Sequence, residues 1–179
     1  AQGYSSNWVA RSKAAMKTIT PRFNSQRMVM DYVTRFYQPA SGQGQRLVAD
    51  NGRLATELAD WKARIRHAWP GVSIHVMDCM GSRCAWDEAV PLRVEVNMNG
   101  LTDQDLRVEC LVSPDCVGSF ESAGDDVILL DKESESEGKT VFSTRLRPPY
   151  PGLQTVRLRV YPYHPGLTHR FEMGAMLWA

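Results

Sequence analysis

The sequence has no apolar run approaching the roughly 20 residues that a helix needs to cross a bilayer. No membrane span is therefore expected. Its first residues, Ala1-Gln2-Gly3-Tyr4, lack a basic-then-apolar leader, and the expected compartment is the cytoplasm. Cysteine is scarce. The four, Cys79, Cys84, Cys110 and Cys116, are spaced C-x4-C and C-x5-C, whereas structural zinc sites favour C-x2-C. Reduced cysteines in and around strands are expected, and a disulfide would be unusual in the cytoplasm. Histidine is as scarce: His67, His75, His164 and His169 include no H-E-x-x-H pair. His164 and His169 lie five apart in a Pro/Gly-containing turn, where capping or solvation is the expected role. There is no G-x-S-x-G elbow and no cysteine with a placed histidine base. These absences lead to the expectation of no catalytic residue, no metal ligand and no cofactor-binding residue in this chain.

Excess charge is missing too. The net charge is +1 with a sequence pI near 7.9 and no clustered basic stripe, so nucleic acid is not an expected partner. The balance hides an asymmetry. Residues 1–70 carry 11 Lys+Arg against 4 Asp+Glu, leaving 10 against 16 in residues 71–179. That split marks two segments of different character. They could attract one another, or the basic one could face a phosphate-rich surface in a larger protein.

What is present follows the same division. Residues 1–70 read as three helices. Trp8, Ser12, Ala15/Met16 and Ile19 are at helical spacing, and Pro21 stops that helix. Asn24 or Ser25 can cap a second, whose apolar face holds Met28, Val29, Tyr32, Val33, Phe36 and Tyr37. Pro39 is expected to end it, and Ser41-Gly42-Gln43-Gly44 to be a flexible joint. A third is expected from about Gln45 to Ala68, with Leu58, Trp61 and Ile65 on its stripe, Gly52 weakening its middle by roughly 1 kcal/mol, and Lys62, Arg64 and Arg66 on its polar face. The aromatic stripe of these helices needs a surface to bury against.

From Val72 the period changes to two. Val72/Ile74/Val76, Leu92/Val94/Val96/Met98, Leu106/Val108/Cys110/Val112, Val127–Leu130, Phe142/Thr144/Leu146, Val156/Leu158/Val160 and Phe171–Trp178 give about seven strands. Arg157 and Arg159 are expected to face out. Asn99-Gly100 and Pro148–Gly152 read as turns, and residues 131–138 as an acidic exposed loop. The expected fold is α+β: a helical segment, residues 1–70, followed by an antiparallel immunoglobulin-like β-sandwich, residues 71–179.

Four features that suggest chemistry have plainer readings. Gly42-Gln43-Gly44 joins two expected helices, not the strand and helix of a phosphate loop. Asp125-Asp126 sits near an acidic surface run rather than across a rigid cleft. Lys17 lies off the apolar stripe among other cations, whereas a Schiff-base lysine requires a depressed pKa. Trp86, Tyr150, Tyr161 and Tyr163 fall near expected turns or strand ends. They are the candidate carbohydrate contacts, with edge packing as the alternative.

One string carries a resemblance: Trp8-x4-Lys13-x2-Ala15-Met16-x-Thr18-Ile19-x-Pro21-x-Phe23-x3-Arg27-Met28-Val29-x2-Tyr32-Val33-x3-Tyr37-x-Pro39-Ala40. It resembles a stretch near the end of bacterial-type α-glucan (glycogen/maltodextrin) phosphorylases. Leu58-Ala59-x-Trp61-Lys62-x-Arg64, Arg159–Pro165 and Glu172-Met173-Gly174 with Trp178-Ala179 extend it, while Cys79–Lys139 match loosely. The resemblance implies the C-terminal region of a pyridoxal-phosphate-dependent glycosyltransferase that cleaves α-1,4-glucan with phosphate to give glucose 1-phosphate. It places the cofactor lysine in a Ser-Asn-Met-Lys type motif, and no Asn-Met-Lys occurs here. The implied partners are upstream catalytic domains of the same polypeptide, with α-glucan and a second copy in a homodimer as further candidates. A stand-alone β-sandwich binding carbohydrate or a partner protein is the alternative.

Overall fold

The computed structural model describes residues 3–78, 83–85, 88–114, 125–136 and 138–179. The first helix, α1, spans Ser6–Ile19, and the Ser5 hydroxyl accepts the Trp8 amide at 3.4 Å. The second, α2, spans Ser25–Tyr32; of the two expected caps Asn24 serves, its Oδ1 accepting the Arg27 amide at 2.8 Å.

Pro39 does not end the helical run. A π turn over Val33–Tyr37 leads directly into α3, Gln38–Ala68, and Ser41–Gly44 are helical rather than a joint. Pro39 stands in the first turn of α3, where a missing N–H is tolerated, and the wider turn before it takes up the change of register. The interruption comes later. Ala49 is extended, and Asp50, Asn51 and Gly52 have φ of 50°, 56° and 78°. Three successive residues of the types that best tolerate left-handed backbone break the helix outright. Gly52, expected only to weaken it, belongs to the break.

The chain divides into two compact units, Ala1–Leu54 and Ala55–Ala179. In the first, neither α1 nor α2 buries a residue. In the second, the closing part of α3 buries Leu58, Trp61, Ile65 and Ala68 at successive helical intervals.

Among the described residues eight strands follow: β1 (Ser73–Asp78), β2 (Val90–Asn97), β3 (Leu106–Pro114), β4 (Asp126–Leu129), β5 (Asp131–Ser136), β6 (Lys139–Leu146), β7 (Gln154–Pro162) and β8 (Leu177–Trp178). They form two four-stranded sheets, β1-β2-β6-β5 and β4-β3-β7-β8, in which every pairing is antiparallel. Leu92, Val94, Val96, Phe142 and Leu146 are buried in the first sheet, and Val108, Cys110, Val112, Leu158 and Val160 in the second. Burial pushes the Cys110 thiol up to about 11, as befits an inert packing residue. Asn99 and Gly100 both take positive φ, 46° and 84°, where the chain leaves β2 in one sheet to enter β3 in the other.

Three expectations fail here. Residues 131–136 are not a loop but the edge strand β5. Its backbone pairs with β6 while its charged side chains stay exposed, a pattern that guards a sheet edge against further pairing. The closing strand shrinks from Phe171–Trp178 to Leu177–Trp178, and Gly174 takes a left-handed turn before it. Arg159 is buried rather than exposed, because Phe171 and Trp178 of the closing segment cover the outer side of the second sheet on which it stands.

Candidate functional site

Two buried carboxylates organise the polar structure of the second unit. Asp105 ends the segment between β2 and β3. Its Oδ1 accepts from Trp61 Nε1 at 2.8 Å and Arg64 Nη2 at 2.8 Å; its Oδ2 accepts from Arg64 Nη1 at 2.7 Å, the Thr102 amide at 2.9 Å and the Thr102 hydroxyl at 2.8 Å. Burial alone would push this carboxyl up. The bonds from Arg64, Thr102 and Trp61 outweigh it and hold the group well below the usual carboxylate range. Trp61 and Arg64 lie three apart on α3, so one helical face delivers both donors. Close by in the fold, Lys62 pairs with Glu172, and the His164 ring lies 5.1 Å from Trp61.

Glu109 on β3 is the second hub. Its Oε2 accepts from Arg159 Nε at 2.8 Å and Nη2 at 2.5 Å; its Oε1 accepts from the Tyr161 hydroxyl at 2.5 Å and Arg170 Nη1 at 3.2 Å. Arg159 stands opposite Glu109 in the antiparallel register, so the pairing of β3 with β7 sets the ion pair. The guanidinium lies 4.8 Å from the Phe171 ring and 5.6 Å from Trp178. Burial first, then the bond to the Glu109 carboxylate, pushes the Tyr161 hydroxyl up to about 12.

Neither hub is arranged for catalysis. Each carboxylate is saturated by guanidinium, amide or hydroxyl donors, and neither presents an unoccupied lone pair to a substrate. Both histidines of the closing segment act locally: His164 Nδ1 accepts the Gly166 amide at 3.0 Å, and His169 Nδ1 the Phe171 amide at 3.2 Å. Among the described residues no group of three His, Cys, Asp or Glu could hold a metal. Pyridoxal phosphate would need a desolvated lysine and a phosphate cradle. Lys62, Lys132 and Lys139 are each paired with a carboxylate, and Lys13 and Lys17 are exposed on α1. The residues present do not fit that group.

A cleft of about 960 Å³ opens between the sheets, with Val76, Leu92 and Leu146 of the first and Val112, Val156 and Leu158 of the second among its walls. Tyr150 and Gln154 add polar atoms; Gln154 Nε2 donates to the Tyr150 carbonyl, while its buried Oε1 has no partner among the described residues.

Of the candidate carbohydrate contacts, the three described tyrosines are not brought together. Trp86 lies outside the described residues. Tyr150 lines the cleft before β7 begins. Tyr163 follows its end, and the Arg107 guanidinium lies 4.0 Å from its ring. A nine-residue strand separates those positions by roughly 30 Å. Tyr161 is only 3% exposed and offers no face for a sugar to stack on. The residues that do organise the unit, Asp105 and Glu109, were not singled out in the sequence. A period-two reading turns Glu109 and Arg159 outward. Only their shared register and the aromatic residues closing the chain point to a covered outer face.

Residues 69–179 match the family described as glycogen phosphorylase C-terminal domain. Among curated proteins, the maltodextrin phosphorylase of Thermococcus litoralis is 32% identical over 96% of this chain and 20% of its own length. The glycogen phosphorylases of Mycobacterium tuberculosis and Mycobacterium bovis are each 28% identical over 99% of this chain and 21% of their own length. The chain thus spans about one fifth of the relatives it matches. No solved structure gives a significant match. With the matched region taking in the eight described strands and the buried carboxylates Asp105 and Glu109, the chain belongs to the glycogen phosphorylase C-terminal domain family.

Proposed function

We propose that this chain is the C-terminal part of an α-1,4-glucan phosphorylase, with a structural role and no catalytic residue of its own. The observation that carries this is the family match over residues 69–179, in a chain that spans a fifth of its phosphorylase relatives. On this reading residues 1–70 complete the glycosyltransferase domain that precedes them. Residues 71–179 form an accessory immunoglobulin-like sandwich, supported by the two antiparallel four-stranded sheets and the crossing of the chain between them after β2. The cofactor lysine, the phosphate contacts and the glucan subsites belong to the preceding part. The intact enzyme would work in the cytoplasm on α-glucan and phosphate.

The test is phosphorolysis of a maltooligosaccharide, read as glucose 1-phosphate. A natural polypeptide that contains this chain at its C-terminus is expected to release it, and the 179-residue chain alone is not. Release by the chain alone, or none by the longer polypeptide, would overturn the reading.

A further inference from the structure

Residues 8–37 carry apolar side chains that belong against something. Trp8 is 69% exposed, and Met16 and Ile19 share its stripe on α1; Phe23, in the turn that follows, is 75% exposed. Met28, Val29 and Tyr32 on α2 and Phe36 in the π turn continue the series, all exposed. An aromatic side chain covers roughly 150–250 Å² when buried. Five of them, Trp8, Phe23, Tyr32, Phe36 and Tyr37, each about half exposed or more, exceed the few hundred Å² that a soluble monomer usually leaves as a patch.

The flanking charge has one sign. Residues 1–37 hold Arg11, Lys13, Lys17, Arg22, Arg27 and Arg35 against one acid, Asp31, which Arg27 already pairs at 2.5 Å. Two copies meeting face to face through this surface would set like charges against each other. A longer polypeptide of the relatives' length supplies a different occupant.

We infer that the apolar stripes of residues 8–37 are the seat of the preceding part of the same polypeptide, on a surface apolar at its centre and acidic at its rim. This rests on the reading proposed above. Hydrogen exchange tests it in two samples, the 179-residue chain and the longer polypeptide that contains it. Helices of this length are marginal without tertiary packing. Amides of residues 8–37 should exchange at least tenfold more slowly in the longer polypeptide. Trp8→Ser with Phe36→Ser should remove most of that protection, and Arg11→Glu with Arg35→Glu should reduce it and its sensitivity to salt. Val127→Ser, at an exposed apolar position on β4, should leave it unchanged.

Equal exchange in both samples would overturn the inference. So would protection that rises with the concentration of the 179-residue chain, which points to a second copy, or on adding anionic phosphatidylserine vesicles, which points to a membrane surface. Phosphorolysis by the same longer polypeptide separates the two failures. With glucose 1-phosphate released and residues 8–37 unprotected, only this inference fails; with none released, the reading beneath it fails.

Discussion

At the scale of single residues, the two buried carboxylates carry the sharpest consequences. Asp105 joins α3 to the turn before β3, so Asp105→Ala strips partners from Trp61, Arg64 and Thr102 together. Arg64 is about half exposed and recovers some hydration, which discounts its share. A loss of about 2–3 kcal/mol is expected in urea unfolding. The sign of the pH dependence follows from the depressed carboxyl. In the unfolded chain an aspartate titrates near ~3.9, and in the folded chain lower. The stabilisation is therefore complete above pH 4 and is lost as the pH falls towards the folded value. The wild type should lose stability steeply below pH 4, and Asp105→Asn should flatten that limb of the melting-temperature profile. Glu109 is a harsher case, because its removal leaves the buried Arg159 without its anion. Glu109→Ala is expected to cost about 3–5 kcal/mol. Glu109→Leu combined with Arg159→Leu should recover much of that in the same unfolding assay, since a well-packed apolar pair often replaces a buried ion pair.

At the scale of elements, the break in α3 has a stated physical cause and so a test. Asp50 and Asn51 hold left-handed backbone without being glycine. Asp50→Gly with Asn51→Gly should therefore preserve the break at little cost, whereas Gly52→Ala, at φ 78°, should cost about 1 kcal/mol, read by helical circular dichroism against temperature. Closer to the sheets, a Cβ on Gly71 would lie 2.3 Å from Asn99 Nδ2, the atom that donates to the Ala68 carbonyl at 2.7 Å. That carbonyl belongs to the last turn of α3, and Gly71 is what lets the Asn99 side chain reach it. The same elements show what the sequence could disclose. Period-two runs such as Leu92-Val94-Val96-Met98 named strands and their buried rows, because a pleated chain with one buried face must alternate. Asn24, Pro21 and Leu58-Trp61-Ile65 likewise state local physics directly. Pro39 misled, since the helix penalty of proline falls away in a first turn. Asp131–Ser136 misled too, since a charged run is as good an edge strand as a loop once a partner offers hydrogen bonds. The polar hubs were least legible, because apart from the Thr102 bonds to Asp105 both are built from contacts 41 to 61 residues apart in sequence, and no local pattern records those.

At the scale of the whole molecule, the two units differ in what holds them. Among the described residues, all the buried hydrophobic side chains, from Leu58 to Tyr161, lie in residues 55–179, together with both carboxylate hubs. The described residues of 1–54 include none, and their helices rest on caps, local hydrogen bonds and exposed ion pairs such as Arg27 with Asp31 and Arg53 with Asp50, each worth only tenths of a kcal/mol. Stability should therefore be graded along the chain rather than shared. Brief digestion of the 179-residue chain with trypsin should cut first at the exposed basic positions of residues 11–53, Arg11, Lys13, Lys17 and Arg22 among them, and leave a resistant product that begins near Ala55. If the product instead retained α1 and α2 through prolonged digestion, residues 3–54 would have to be held by packing that their exposure does not show. In the longer polypeptide the same bonds should resist, because a surface seated on Trp8, Phe23 and Phe36 would also shield the cations beside them.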